Sequence, residues 1–413
     1  MKIVEFEVIG LFGLYNHKID FSTKSTHKDK TGADVIMIYG QNGIGKTTIL
    51  RMLEGLMTLD FDVFRIVKFQ EAFIKFSNNK KITVKRIDEG KNLSQLEVNY
   101  IDYKIILDPK KKGVLDKEDK ENKEKEKEFI EQYEKDIDNF LFDFIDTERL
   151  LKRNAKEELI SEQHILRGKI VRSKVEEPSN YFSSRIRRFI SDSQINHSRY
   201  FQRTEPELFD KILSNLEKNT AVTKTNLINR LHALNKLEKK FQIDRIGLVK
   251  EKWNKKKLIT AINTSVEDQS KLKIISSYIE FLEDRNKELQ NVAERLLKFE
   301  TIINRFLLDK SVSVNRKGLD IKSRNGDRIK EEQLSTGEYH LLYLSVLALS
   351  TKVKGTIIAI DEPEMSMHVS WQDQLVKALV DISSKAFPQM IFATHSPDIA
   401  KDYDNSLITS KYE

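Results

Sequence analysis

The chain has 413 residues, which predicts two to three domains or one domain with a large insertion. It carries 71 Lys and Arg against 64 Asp and Glu, for a net charge of +7, and only 15 Gly and 6 Pro. This composition excludes collagen-like and Pro-rich chains and favours long helices. Cys is absent, which excludes disulfide scaffolds, zinc ribbons and thiol catalysis. The sequence has neither a membrane-length apolar run nor a signal peptide, so it predicts a cytoplasmic protein without a membrane partner.

Strand patterns dominate the first hundred residues. The predicted strands are 3–9, 18–21, 35–39, 73–76, 82–84 and 96–100. The run 35–39 is apolar throughout, as expected for a strand buried on both faces, and a helix is predicted to follow at 46–56. A further strand of the same domain is predicted within about 139–150, at the run Phe140 to Asp146.

The middle of the chain, residues 110–310, is predicted to be an inserted and mainly helical region. It begins with a charged linker from Lys110 to Glu128, which is either a solvated helix or a disordered loop, with a basic nucleic-acid arm as the functional alternative. A heptad pattern runs from Ile275 to Phe306 with one polar break at Arg285. This period predicts either a coiled-coil hairpin or a long amphipathic helix on a globular body. The leucines between Leu227 and Phe241 are the candidate antiparallel partner in the hairpin.

The segment from Gly40 to Thr48 satisfies the phosphate-loop pattern G-x-x-x-x-G-K-[ST]. It follows a predicted buried strand and precedes a predicted helix, which is the context its mechanism requires. The glycines let backbone N–H groups face phosphates, Lys46 reaches the β- and γ-phosphates, and the Thr47 hydroxyl ligates Mg²⁺. The predicted ligands of ATP in this segment are Asn42, Gly43, Gly45, Lys46, Thr47 and Thr48.

A second apolar run, Thr356 to Ile360, ends in the acids Asp361 and Glu362. An acid at the carboxyl end of a strand beside a phosphate loop holds Mg²⁺, which predicts Asp361 and Thr47 as metal ligands. Glu362 is placed to orient or deprotonate the attacking water and is the predicted catalytic base. A strand that ends in Asp-Glu is by itself weak evidence for a nucleotide site, but together with a phosphate loop in the same chain it becomes strong evidence.

Two further motifs each allow a structural and a functional interpretation. The segment Leu334-Ser335-Thr336-Gly337-Glu338 is a helix capping box, in which Gly337 leaves space for something to approach the helix start. The apolar run Ile391 to Thr394 ends at His395, which is either a structural histidine or a contact to the γ-phosphate.

The order of these four motifs resembles that of the ATP-binding-cassette ATPases. The resemblance implies an α/β head built from both chain ends, with an N-terminal lobe at 1–109 and a C-terminal lobe at 311–413. It also implies composite sites shared by two copies, to which Ser335 and Gly337 contribute in trans. In this reading Glu362 and His395 are the catalytic residues, and the protein forms a dimer of heads or a higher homo-oligomer.

The branch of the family follows from the insertion and from one longer string. About 290 residues separate Thr47 from Leu334, and so long a helical insertion resembles the SMC and DNA-repair ATPases. The string from Asp361 to Gln372 resembles the overcoming-lysogenization-defect (OLD-like) ATPases and the ATPase subunits of anti-phage systems such as PARIS, Septu and retron-associated systems. This implies an ATPase that serves as sensor or scaffold in a multi-subunit defence system and responds to nucleic acid or a phage protein. The alternatives are a repair ATPase that clamps DNA directly and a scaffold that ATP locks with little turnover.

Some positions depart from the family pattern or lie outside its motifs. Gln70 is the candidate for a glutamine loop. The sequence ends 18 residues after His395, where OLD nucleases carry a nuclease domain, so a separate effector nuclease is expected. Arg149 is a candidate near the nucleotide. The clusters Arg185 to Phe189 and Trp253 to Lys257 are either phosphate contacts or solvated helix faces.

Overall fold

The computed structural model describes the chain in segments that together cover most of it. The described residues are 2–21, 34–87, 95–107, 115, 124–137, 142–146, 162–166, 169–173, 181–218, 221–248, 253–265, 268–351, 356–383 and 389–403. The chain forms two compact units. The first unit comprises Met1–Val175, Ser335–Leu341 and Thr351–Glu413, and the second comprises Glu176–Leu334 and Leu342–Ser350.

An antiparallel sheet occupies much of the first unit. Its strands are β1 (Ile3–Leu11), β2 (Tyr15–Asp20), β4 (Glu71–Phe76), β5 (Lys81–Ile87), β6 (Gln95–Tyr100) and β7 (Tyr103–Leu107). They lie in the order β2-β1-β4-β5-β6-β7. Buried and more exposed positions alternate along β4 and β6, because one face of the sheet packs on the core. Five of the six strands predicted in the first hundred residues are therefore present in this sheet.

A parallel sheet forms the second layer of this unit. Its strands are β3 (Asp34–Tyr39), β14 (Gln389–Thr394), β13 (Ile357–Asp361) and β8 (Phe142–Asp146), in the order β3-β14-β13-β8. All residues of β13 and β14 are buried, as their apolar runs require. The register pairs Asp361 with Ala393 on one side and with Asp146 on the other. The carboxyl ends of strands from distant parts of the sequence therefore share one edge.

Helices complete the first unit. They are α1 (Lys46–Thr58), α2 (Asp62–Ile66), α3 (Glu124–Asp136), α10 (Val369–Ser383) and α11 (Pro397–Ala400), together with a hairpin of β9 (Glu162–Leu166) and β10 (Lys169–Ser173). Ile49 and Leu53 of α1 and Phe129 of α3 are buried in one core with residues of both sheets. The Tyr133 hydroxyl donates to the Leu56 carbonyl over 2.8 Å, which fastens α3 to α1.

The predicted inserted region 110–310 does not coincide with the second unit. Helix α3 and strand β8 belong to the first unit, and the second begins only at residue 176. The high charge content predicted a linker in this region. The buried aromatic side chains of α3 and the pairing of β8 with β13 instead place both elements in the first unit. Of the charged segment, residues 110–114 and 116–123 lie outside the described residues, as does Arg149.

The second unit is mainly helical, as predicted, so the fold as a whole is the expected mixture of α and β. It contains α4 (Tyr181–Glu217), α5 (Lys224–Lys240), α6 (Ile243–Ile246), α7 (Lys255–Thr264), α8 (Gln269–Phe306) and a hairpin of β11 (Lys310–Asn315) with β12 (Gly318–Ser323). The boundary between the units falls within α9 (Thr336–Ser350). Among the helices that the structure describes, none has the length and apolar character needed to cross a bilayer.

Helix α8, which carries the heptad, has an antiparallel partner other than the predicted one. Asn215 contacts Ser277 at 2.9 Å, while Arg295 lies 5.2 Å from the Phe189 ring, so α4 and α8 run in opposite directions. The predicted partner, α5, also packs on α8 through Leu227, Leu231 and Leu234. It runs parallel to α8, because hydrogen bonds join Arg230 to Glu283 and Glu238 to Asn286. The antiparallel assignment of α5 was wrong, since a heptad identifies the apolar face but not its partner's direction.

The polar break in the heptad is part of a buried network. Glu238 Oε1 accepts hydrogen bonds from Trp253 Nε1 at 2.8 Å, Asn286 Nδ2 at 3.1 Å and Arg285 at 3.2 Å. Because Arg285 is 8% exposed, the Glu238 carboxylate compensates a guanidinium that burial alone would destabilise.

Candidate functional site

The loop that joins β3 to α1 depends on two glycines. Gly43 and Gly45 have φ angles of +90° and +96°, which L side chains rarely adopt. A Cβ on Gly45 would also lie 2.7 Å from Leu11 Cδ2, whereas a Cβ on Gly43 would meet nothing within 4 Å. Gly45 is therefore required both by its positive φ angle and by the lack of space for a side chain, whereas Gly43 is required by its φ angle alone. Gly45 is the N-cap of α1, so the unpaired N–H groups of that helix face the same loop.

Lys46 lies across this loop. Its ammonium donates to the carbonyls of Gly40 at 2.9 Å and Gln41 at 3.1 Å, and the residue is only 6% exposed. Burial lowers the pKa of Lys46, while three nearby carboxylates, led by Glu362, act in the opposite direction. A cation is thus held at the helix start, where it fits the charge of a bound phosphate.

A histidine that the sequence analysis did not single out contacts the backbone of the phosphate loop. His17 on β2 is buried, and its Nε2 lies 2.9 Å from the Ile44 carbonyl. Burial lowers the pKa of His17, so the imidazole is neutral and donates its Nε2–H to that carbonyl. The ring stacks on Tyr15 with centroids 5.6 Å apart. No local pattern joins positions 17 and 44, so only the fold reveals this contact.

The hydroxyl of Thr47 donates to Asp361 Oδ2 over 2.6 Å, which joins the phosphate loop to the end of β13. Asp361 is buried, and this burial raises its pKa to about 6. The Thr47 hydrogen bond opposes that rise, and the charge of Glu362 adds to it. Hydroxyl and carboxylate oxygens are the ligands that Mg²⁺ prefers, so this pair fits that ion.

A second acid that sequence reasoning missed stands beside this pair. Asp146 ends β8, lies in register with Asp361 and is buried. Arg51 of α1 donates to its Oδ2 at 2.8 Å. The charge of Asp146 contributes to the raised pKa of Asp361. The sequence predicted the strand, but only the strand order places its last residue at this edge.

The structure brings the two predicted catalytic residues together. Glu362 follows β13 directly, with a φ of +47°, and its N–H donates to the Ala393 carbonyl at 2.7 Å. His395 follows β14, and its Nδ1 lies 3.6 Å from Glu362 Oε1 and 3.4 Å from Glu364 Oε1. The His395 side chain is 47% exposed, so it is accessible to a ligand.

The predicted capping box is present at the start of α9. Glu338 N–H donates to Ser335 Oγ at 3.3 Å, and Ser335 N–H donates to Glu338 Oε2 at 2.8 Å. A Cβ on Gly337 would lie 2.5 Å from the Ser366 carbonyl oxygen. The group that approaches this glycine is therefore the chain's own backbone, in the turn that follows β13. The predicted contact of Ser335 and Gly337 with a second copy's nucleotide stays a prediction.

A buried histidine ties α9 to the same turn. His340 Nδ1 lies 2.9 Å from the Met365 carbonyl and donates to it. Burial lowers the pKa of His340, which keeps the ring neutral. The turn after β13 thus contacts both α9 and the residues around His395.

The remaining predicted residues take less defined positions. Asn42 is exposed on the loop, and Thr48 lies in the first turn of α1. Gln70 precedes β4, and its N–H donates to the Ile9 carbonyl in the antiparallel sheet. Its described contacts lie in that sheet, so its assignment to a glutamine loop stays a prediction.

A phosphate loop, an adjoining hydroxyl–carboxylate pair and a neighbouring acid define a P-loop nucleotide-binding site. The chain belongs to the AAA ATPase domain family, which matches residues 1–400. It is 23% identical over 439 residues to endonuclease GajA from Bacillus cereus (strain HuB5-5), covering 97% of this chain and 57% of that protein. The chain thus spans little more than half the length of this relative.

Two solved structures are similar to the chain. One is the Smc head domain with an extended coiled coil, bound to the C-terminal domain of ScpA, from Pyrococcus furiosus. It is 14% identical with a TM-score of 0.42, and the match covers 98% of this chain and 92% of that one. The other is the SMC head domain from Thermotoga maritima, 13% identical with a TM-score of 0.36, and the match covers 100% of both chains.

Proposed function

We propose that this protein binds ATP with Mg²⁺ and hydrolyses it at the edge of the parallel sheet. The observation that carries the proposal is the 2.6 Å contact between Thr47 Oγ1 and Asp361 Oδ2. It joins a phosphate-binding loop to an acid that is separated from it by most of the chain, and the two oxygens suit Mg²⁺.

Each residue then has one task. Lys46 and the backbone N–H groups at the start of α1 bind the phosphates, with Asn42, Gly43, Gly45 and Thr48 shaping the loop. Thr47 and Asp361 hold Mg²⁺, which neutralises charge on the phosphate oxygens. Glu362 accepts the proton of the attacking water, and His395 donates an imidazole N–H to the γ-phosphate.

A second copy of the chain completes the site in this proposal. Ser335 is exposed at the start of a 15-residue helix, so the positive end of that helix is accessible to a partner's nucleotide. Ser335 and Gly337 of one copy contact the ATP of the other, and ATP therefore promotes a homo-oligomer.

The wider role we propose is in bacterial anti-phage defence, as a sensor or scaffold whose ATP state controls an effector nuclease in another protein. The string from Asp361 to Gln372, which resembles the ATPase subunits of anti-phage systems, supports the defence role, and the similarity to an endonuclease supports a link to nuclease action. Nucleic acid or a phage protein is the proposed trigger.

Nucleotide binding is tested with Lys46→Ala, and Lys85→Ala serves as the matched control because Lys85 pairs with Glu71 on the antiparallel sheet. Loss of a charge-assisted contact to phosphate costs on the order of a few kcal/mol, or about 100-fold in affinity. Calorimetry should show this loss for Lys46→Ala alone. A Lys46→Ala variant that binds and hydrolyses ATP like the wild type would contradict the site.

Hydrolysis and assembly are tested with Glu362→Gln, which should bind ATP, release no phosphate and accumulate as oligomers in light scattering. Ser335→Arg should block that assembly without weakening ATP binding. If oligomers form without ATP and neither substitution changes them, the composite site is contradicted.

The effector is tested by incubating the purified chain with DNA and RNA in Mg²⁺ or Mn²⁺. Nucleic-acid cleavage that a point substitution in this chain abolishes would contradict a separate nuclease. So would full protection against phage from this gene alone. Tight, salt-dependent duplex binding would favour a DNA clamp, and retained nucleotide with very low turnover would favour a locked scaffold.

A further inference from the structure

Glu364 is a buried carboxylate to which the roles above assign nothing. It is 5% exposed, and its Oε1 accepts three hydrogen bonds from the last residue of β14 and the two residues that follow it. The donors are Thr394 Oγ1, the His395 N–H at 3.1 Å and the Ser396 N–H at 3.1 Å. One oxygen therefore gathers consecutive donors around the residue proposed to contact the γ-phosphate.

Burial of an ionised carboxylate is unfavourable unless charge-assisted hydrogen bonds compensate it. Here the compensating donors are two backbone N–H groups and one hydroxyl of the same turn, so the carboxylate fixes the path of that backbone. Gln372 of α10 adds a second anchor, because its Oε1 accepts from Ser396 Oγ at 2.8 Å. Glu364 thus holds the His395 backbone directly, and Gln372 holds the next residue, while the His395 side chain remains accessible.

The fixed backbone determines where the His395 imidazole lies. His395 Nδ1 stands 3.6 Å from Glu362 Oε1, the atom proposed to receive the water proton. Glu364 itself is unsuited to proton transfer, because its Oε1 already accepts three hydrogen bonds and its Oε2 is buried. Its Oε1 also lies 3.4 Å from His395 Nδ1, so Glu364 contacts both the backbone and the ring of His395, and its contribution is geometric.

We propose that Glu364 is a positioning residue for ATP hydrolysis, which holds the His395 imidazole against Glu362 by accepting hydrogen bonds from the turn at Thr394–Ser396. The inference rests on the proposed function, since it presumes that Glu362 and His395 act on ATP. It concerns the geometry of the hydrolytic step and predicts no role in nucleotide affinity.

Two substitutions separate hydrogen bonding from charge. Glu364→Ala removes the acceptor for all three donors, whereas Glu364→Gln keeps one side-chain oxygen for them and removes the charge. Small displacements of a catalytic group lower kcat steeply, so Glu364→Ala should lose about tenfold or more in kcat, with ATP affinity within about twofold of the wild type. Glu364→Gln should recover most of kcat.

Two further variants complete the series. Thr394→Val removes one of the three donors at constant shape and should fall between Glu364→Ala and the wild type. Asp373→Asn is the matched control, because Asp373 is an acid on α10 that pairs with Lys401 at the surface. It should hydrolyse ATP like the wild type. If Glu364→Ala does not fold, Thr394→Val and Glu364→Gln carry the same test.

A spectroscopic measurement separates this proposal from the proposed function. In a histidine-labelled NMR spectrum, His395→Gln assigns the His395 ring signal, which should move in Glu364→Ala and return in Glu364→Gln. A wild-type protein without ATPase activity would refute the proposed function and leave this signal as the test of the positioning role of Glu364. Three results would overturn the positioning role. In Glu364→Ala, the His395 signal could stay in place with a wild-type kcat, or kcat and ATP affinity could fall together. In the third result, Glu364→Gln would have a kcat no higher than that of Glu364→Ala.

Discussion

The two glycines of the phosphate loop permit a quantitative test of the site, because they differ in surroundings and not in chemistry. Gly45→Ala and Gly43→Ala each add one methyl group where φ is +96° and +90°. At Gly45 the new Cβ would lie 2.7 Å from Leu11 Cδ2 and 3.0 Å from Phe12 Cε2, whereas at Gly43 it would point into open space.

The magnitudes follow from these contacts. A left-handed backbone costs an L residue about 1–2 kcal/mol, and both variants carry that cost. Overpacking adds about 1–3 kcal/mol at Gly45 alone. Leu11 is fully buried and cannot move aside freely, while Phe12 is 38% exposed and can. We therefore expect losses in unfolding free energy of about 2–5 kcal/mol for Gly45→Ala and about 1–2 kcal/mol for Gly43→Ala.

The assay is urea unfolding followed by the fluorescence of Trp371, which lies in the first unit. A Trp253→Phe background removes the other tryptophan, so the signal reports one unit. ATP affinity is measured on the same variants and should fall more for Gly45→Ala. Equal losses for both substitutions, or a larger loss for Gly43→Ala, would refute the reasoning from the loop geometry.

Three further predictions concern other parts of the chain. Gly337→Ala gains about 1 kcal/mol of helix propensity, but its Cβ would meet the Ser366 carbonyl at 2.5 Å, so urea unfolding should show a net loss on the order of 1 kcal/mol. The pKa values of His17 and His340 lie below the usual 6.5, so protons bind the unfolded chain first and stability is lost as pH falls below about 6.5. The drop in Tm from about pH 7.5 to about pH 5.5 should be smaller in His340→Gln, and an unchanged drop would contradict a contribution of His340 to this pH dependence. Glu238→Ala leaves three donors without their acceptor and should cost about 3 kcal/mol in the second unit, which calorimetric unfolding measures.

Local sequence was sufficient for the parts of the site that lie within a few residues of each other. The spacing from Gly40 to Thr48 predicted the phosphate loop because its backbone conformation depends on consecutive residues. The run ending in Asp361 predicted a buried strand with an acid at its end, because strand burial leaves a direct mark on the apolar pattern. The local positions of Lys46, Thr47 and Asp361, and the capping box at Ser335, were predicted in this way.

Only the tertiary structure decided which surfaces these elements meet. Asp146 stands beside Asp361 because β8 pairs with β13, and His17 supports the loop because β2 carries its ring to the Ile44 carbonyl. Likewise, the heptad of α8 specified an apolar stripe and left the direction of its partners open. Periodicity records how much of a side chain is buried, whereas the identity of the covering surface depends on how distant segments close upon one another.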